Sequence, residues 1–118
     1  MRTQHVPAAP GAAALQLRTT ESISERMRGL LGRCALAPGE ALLLTPCNMV
    51  HTVGMAYAID VVFADGEGVI RKISPAVPAL RIRACLRARY ALELAAGEAA
   101  RAGWRVGVRL PFLNKASP

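Results

Sequence analysis

The stretch Asp60-Val61-Val62-Phe63-Ala64-Asp65-Gly66-Glu67-Gly68-Val69-Ile70-Arg71-Lys72-Ile73-Ser74 decides the fold class. Two short runs rich in β-branched and aromatic residues, which favour a pleated half-buried surface, flank Asp65-Gly66. Asp tolerates a positive φ and Gly accepts one freely, so this dipeptide supplies the chemistry of a tight hairpin. Strands are therefore predicted over Asp60 to Ala64 and Val69 to Ser74. Outward from this hairpin the chain keeps the same texture of short aliphatic runs punctuated by Pro and Gly. Further strands are expected at Ala41 to Thr45, Met49 to Thr52, Arg81 to Arg89, Tyr90 to Leu94 and Val106 to Leu110, with Pro75 and Pro78 bracketing a loop.

Towards the N-terminus, Leu15 and Leu17 alternate with Gln16 and Arg18, which predicts a short strand over Ala13 to Arg18. Thr20 or Ser22 then caps a helix from Glu21 to Leu31, where Ile23, Met27, Leu30 and Leu31 recur at spacings of three and four. Glu98 to Ala102 reads as one helical turn ended by Gly103. Residues 1–11, with two prolines and no periodicity, read as a loose leader to a single domain over 12–118. The expected architecture is mainly β (α+β): a compact antiparallel barrel or sandwich with one N-terminal amphipathic helix and one short helical turn.

The chain has 118 residues, 53% hydrophobic and 19% charged, enough to bury one core and too short for two ordinary domains. Fifteen Lys and Arg, thirteen of them arginine, oppose eight Asp and Glu to give a net charge of +7. That balance invites a nucleic-acid or acidic-partner reading. A GC-rich bacterial genome that favours Ala and Arg codons explains it more simply. Only five aromatic residues are present, so a stacking platform for single-stranded bases has little to build on. Nucleic acid is a partner class the sequence allows without favouring. Cys34, Cys47 and Cys85 are odd in number and form no C-x-x-C pair, which fits reduced thiols in a cytoplasmic protein. Pro7, Pro10 and Gly11 interrupt any apolar leader segment, and no 18-residue apolar run occurs, so neither a signal peptide nor a membrane partner is expected.

The densest segment chemically is Pro46-Cys47-Asn48-Met49-Val50-His51-Thr52-Val53-Gly54-Met55-Ala56-Tyr57-Ala58-Ile59-Asp60. Together with Glu25-Arg26-Met27-Arg28-Gly29-Leu30-Leu31-Gly32-Arg33 upstream and Tyr90-Ala91-Leu92-Glu93-Leu94-Ala95-Ala96-Gly97-Glu98 downstream, it resembles the DUF192 family in three blocks in the right order. The resemblance spans Leu17 to Leu110. It implies a single-domain, mainly β fold with one helix beside it, and no established activity. Ala58 stands where many members have Pro, and Val108 stands where an acidic residue is usual.

Cys47, His51, Thr52, Met55 and Asp60 form the candidate pocket. Thiolate and imidazole bind zinc and a thioether favours copper(I), but the spacing suits a helix while Pro46 and Gly54 argue for loop and strand, and a fourth ligand is missing. The simpler reading packs Cys47 and Met55 in the core and lets His51 and Thr52 bond backbone at a bend. A Cys47 nucleophile with His51 as base and Asp60 as orienter is a further alternative, without a visible oxyanion hole. No catalytic residue, metal or cofactor is therefore assigned. Asp60 is expected to receive turn amides or an arginine, with Arg26 and Arg28 as candidates.

A second feature is Arg81-Ile82-Arg83-Ala84-Cys85-Leu86-Arg87-Ala88-Arg89. In an extended strand Arg81, Arg83, Arg87 and Arg89 share one face, a candidate anion-binding surface for a small anion or an acidic protein. The competing explanation is a solvated strand face whose charges discourage pairing with other chains. The expected function is a non-catalytic ligand- or partner-binding module. A Cys/His-centred metalloprotein or enzyme, and nucleic-acid binding through the Arg face, stand as alternatives.

Overall fold

A computed structural model describes residues 2–7, 14–19, 36–53 and 55–115. The helix expected over Glu21 to Leu31 lies outside the described residues. Among these residues eight strands, β1 (Arg2–Pro7), β2 (Ala14–Thr19), β3 (Glu40–Leu44), β4 (Met49–His51), β5 (Ile59–Ala64), β6 (Ile70–Val77), β7 (Ile82–Ala84) and β8 (Tyr90–Ala95), are followed by the short helices α1 (Glu98–Arg101) and α2 (Pro111–Lys115). Six strands form one sheet in the order β1-β2-β3-β8-β5-β6, and β4 pairs with β7 in a separate ribbon.

The expected barrel is not formed, because β1 and β6 are opposite edges of an open sheet. Nor is the sheet purely antiparallel, since β2 runs parallel to β3. A parallel neighbour requires a crossover connection, and the alternation within a strand does not say which way its partner runs. The first residues, read as a leader, instead supply β1, in antiparallel register with β2 from Arg2↔Thr19 to Pro7↔Ala14.

Strands β5 and β8 are buried along nearly their whole length, so both faces of the sheet are covered. On the first face Leu17, Leu43, Val62, Leu92 and Leu94 meet Ala99, Trp104, Leu110, Phe112 and Leu113 from the C-terminal segment. On the second, Leu42, Leu44, Val61 and Phe63 lie under Val50 of the ribbon and Met55. The strand expected over Val106 to Leu110 is a turn making a single bridge, Val69↔Arg109, with Gly107 at φ 95°.

The central hairpin is present, but its turn differs from the expected two-residue form. Gly68 N–H donates to the Asp65 carbonyl at 2.9 Å, and the positive φ falls on Gly68. Asp65 Oδ1 accepts the amides of Glu67 and Val69, and Oδ2 accepts Arg71 Nε at 2.7 Å. Strand β6 also runs on through Pro75 to Val77 where a loop was expected. Pro75 is tolerated because β6 is an edge strand, and a register shift between Ile59 and Val61 places Ala76 at φ 48° in a bulge.

Candidate functional site

The sheet lies between the members of the expected pocket. Met55 is buried in the second-face core, and Cys47 packs half-buried against the same cluster with its thiol donating to the Met49 carbonyl at 3.2 Å. Asp60 faces the other way. Its register partner across β8 is Leu94, and its carboxylate accepts the amides of Gly97 and Ala99 at the start of α1 and of Ala76 in the bulge. Asp60 thus receives turn amides, as the sequence allowed. His51 is exposed on the ribbon opposite Ile82. No group of three or more His, Cys, Asp or Glu placed to hold a metal occurs among the described residues.

Thr52 follows β4 and is buried. Its hydroxyl donates to the Pro78 carbonyl at 2.7 Å and accepts the Arg81 amide at 2.9 Å, while its own carbonyl accepts the Leu80 amide. These bonds hold Leu80 in the left-handed region, φ 62°, with its side chain 69% exposed. A non-Gly residue held there marks a place where the surroundings over-determine the backbone. Thr52→Val keeps the shape but orphans the Arg81 amide and the Pro78 carbonyl. A loss of about 1–3 kcal/mol is expected, with faster hydrogen exchange at the Arg81 amide; unchanged exchange there would remove Thr52 from this role.

The Arg81 to Arg89 segment departs from the expected strand. Strand β7 ends at Ala84, and Ala88 N–H donates to the Cys85 carbonyl at 2.9 Å, so the chain turns at Leu86 and Arg87. Alternation therefore stops, and the four arginines do not line one face. Arg83 pairs across the ribbon with the buried Val50 and is half-buried, whereas Arg81, Arg87 and Arg89 are exposed. The apolar residues expected to pack inward also differ: Ile82 is 62% and Leu86 90% exposed, and only Tyr90 is buried.

The described residues contain six exposed large hydrophobic side chains, and five of them, Met49, Val53, Leu80, Ile82 and Leu86, belong to this ribbon and its flanks. Met49↔Ala84 and His51↔Ile82 are register pairs, so these four residues share the outward side, opposite buried Val50. From Gly68 to Leu92 the chain has six Lys and Arg and no Asp or Glu. Arg81, Arg83, Arg87 and Arg89 meet no carboxylate among the described residues.

Sequence reasoning passed over Glu93. It lies in β8 between Leu42 and Val61, on the face that carries Phe63 and Met55. The residue is 4% exposed, and its Oε1 accepts no hydrogen bond among the described residues. Burial lifts its carboxyl from the usual 4.5 to about 7. The available signal was a lone acid inside the apolar run Tyr90-Ala91-Leu92-Glu93-Leu94, which marks a charge on a strand covered on both faces.

A family model, DUF192 ("Uncharacterized ACR"), matches residues 6–112. Two solved structures share the fold. A putative transcription regulator from Sinorhizobium meliloti aligns with TM-score 0.74 and 24% identity, over 91% of this chain and 88% of that one. A protein of unknown function from Novosphingobium aromaticivorans aligns with TM-score 0.73 and 17% identity, over 81% and 74%. None of the curated proteins matches the chain.

Proposed function

The chain belongs to the DUF192 family, and from that footing we propose that it is a non-catalytic binding module whose working surface is the β4–β7 ribbon with its flanking arm. The observation that carries this reading is the concentration of exposed apolar side chains on one small element, five of six among the described residues. Contiguous exposed apolar surface on a monomer marks an interaction site more often than an accident. The arginines around it, which meet no carboxylate among the described residues, select for a partner that offers anionic groups beside apolar ones. The odd number of cysteines and the lack of a C-x-x-C pair suit a reducing, cytoplasmic setting. No helix among the described residues is long and apolar enough to cross a membrane.

The apolar anion anilinonaphthalene sulfonate is a direct probe of such a surface. The folded protein is expected to enhance its fluorescence, and Ile82→Asp with Leu86→Asp is expected to lower that enhancement several-fold at unchanged Tm. Exposed side chains of this kind contribute little to folding, so the double variant remains native. An enhancement no greater than that of the double variant overturns the reading.

A further inference from the structure

We propose that the β4–β7 ribbon and its arm dock peripherally on an anionic phospholipid surface. This rests on the reading of the ribbon as a binding face and names its partner, a membrane surface that the sequence did not lead us to expect; the missing apolar run argues against a span, and peripheral docking needs none.

The first observation is the order of the side chains. Each exposed apolar residue of the arm is followed directly by an arginine: Leu80-Arg81, Ile82-Arg83 and Leu86-Arg87. Protein interfaces segregate an apolar core from a polar rim. Here exposed Arg81 and Arg87 stand directly beside Leu80 and Leu86 at the turns, while Arg83 faces the opposite side of β7 from Ile82, with Val50. A bilayer interface accepts this interleaving, because aliphatic tips enter the acyl boundary while guanidiniums stay level with phosphates.

The second observation is where the apolar residues stand. Leu86, 90% exposed, sits in the turn closed by Ala88 N–H on the Cys85 carbonyl, and Leu80 sits on a left-handed corner fixed by Thr52. Both protrude from hydrogen-bonded corners, which suits shallow insertion.

The third observation concerns the backbone edge. Cys85 N–H donates to the Asn48 carbonyl and Thr52 N–H to the Arg81 carbonyl, so antiparallel alternation turns the polar groups of Ile82 and Ala84 outward from β7. The Ile82 carbonyl is taken by Arg83 Nη1 at 2.9 Å and the Ala84 carbonyl by Lys72 Nζ at 2.9 Å. Two acceptors that an added strand would need are thus already engaged, which disfavours strand addition by an extended peptide and shifts recognition to the side chains. With no acid between Gly68 and Leu92, nothing on this stretch repels a sheet of phosphates.

The test is sedimentation of the full chain with phosphatidylcholine vesicles containing no or 30% phosphatidylserine (about one anionic lipid in three). Binding is expected only to the anionic vesicles and is expected to weaken as salt rises. Each of Arg81→Gln, Arg87→Gln and Arg89→Gln is expected to reduce it about fivefold. Leu86→Ser is expected to weaken it without changing the salt dependence, and Val106→Ser, an exposed apolar residue elsewhere, to leave it unchanged. In Leu86→Trp, a blue shift of the new tryptophan on anionic vesicles reports insertion. Equal binding to both vesicles, no binding, or no blue shift overturns the proposal. Arginine-dependent binding to polyglutamate or duplex DNA without vesicle binding also overturns it, while leaving the binding-face reading intact. Loss of the dye response as well overturns both.

Discussion

Replacing Glu93 by glutamine is expected to raise stability by about 2–3 kcal/mol at pH 8.5 and to change it little at pH 4. Glu93 is buried between Leu42 and Val61, and its carboxyl titrates at about 7 instead of 4.5. Below both values the group is neutral folded and unfolded, and there is no penalty. Between them the unfolded chain releases its proton first, so each rise in pH favours unfolding. Above 7 both states are ionised and the penalty is complete. At about 1.4 kcal/mol for each tenfold change in proton affinity, the gap corresponds to about 3 kcal/mol. Glutamine removes the ionisation and keeps the shape, but leaves a buried amide, so it recovers most and not all of this. Urea unfolding of both proteins at pH 4, 6 and 8.5 measures the difference directly. An advantage that is flat across the three would show that Glu93 ionisation is not the cause.

Asp60→Ala carries the other large effect, a loss of about 3–5 kcal/mol. The Asp60 carboxylate is 1% exposed and joins three elements, through Ala76 N–H at 2.9 Å in β6, and Gly97 at 3.1 Å and Ala99 at 2.9 Å at the start of α1. Truncation leaves three amide donors without an acceptor and removes the contact that holds Ala76 at φ 48°. Asp60→Asn keeps one carbonyl oxygen but presents an NH2 group where amides already point, so it is expected to recover only part of the loss. The measurement is the urea midpoint of each variant at constant m-value. A loss below about 1 kcal/mol for alanine would mean that water replaces the carboxylate there.

Local signals served well where each strand carries its own pattern. The β5–β6 hairpin, β8 and the helical turn ended by Gly103 all lie within a few residues of their expected places. What local signals do not encode is the neighbour of each strand. Ala13 to Arg18 is a strand whether its partner runs parallel or antiparallel, and the open edges at β1 and β6 follow from pairing, not from pattern. The Arg81 to Arg89 reading failed for the same reason. Alternation there is regular in sequence, but β4 offers only Met49 to His51 to pair with, so the strand stops and Leu86 turns outward. For the candidate pocket, Cys47 and Asp60 are near in sequence, yet the sheet stands between their side chains. Thr52 and Asp60 matter structurally through hydrogen bonds to residues 16 to 39 positions away, a separation no spacing rule reaches.

The place of β8 between β3 and β5 also constrains how the molecule is made. Leu42 and Val61 both take Glu93 as register partner, so two strands synthesised early are joined only by one synthesised late. Until β8 leaves the ribosome, β3 and β5 each present an unpaired apolar edge, the kind of exposed template that invites association between nascent chains. Cooperative folding therefore waits for the last quarter of the chain, and truncations that stop before Tyr90 are expected to yield insoluble product instead of a smaller folded unit.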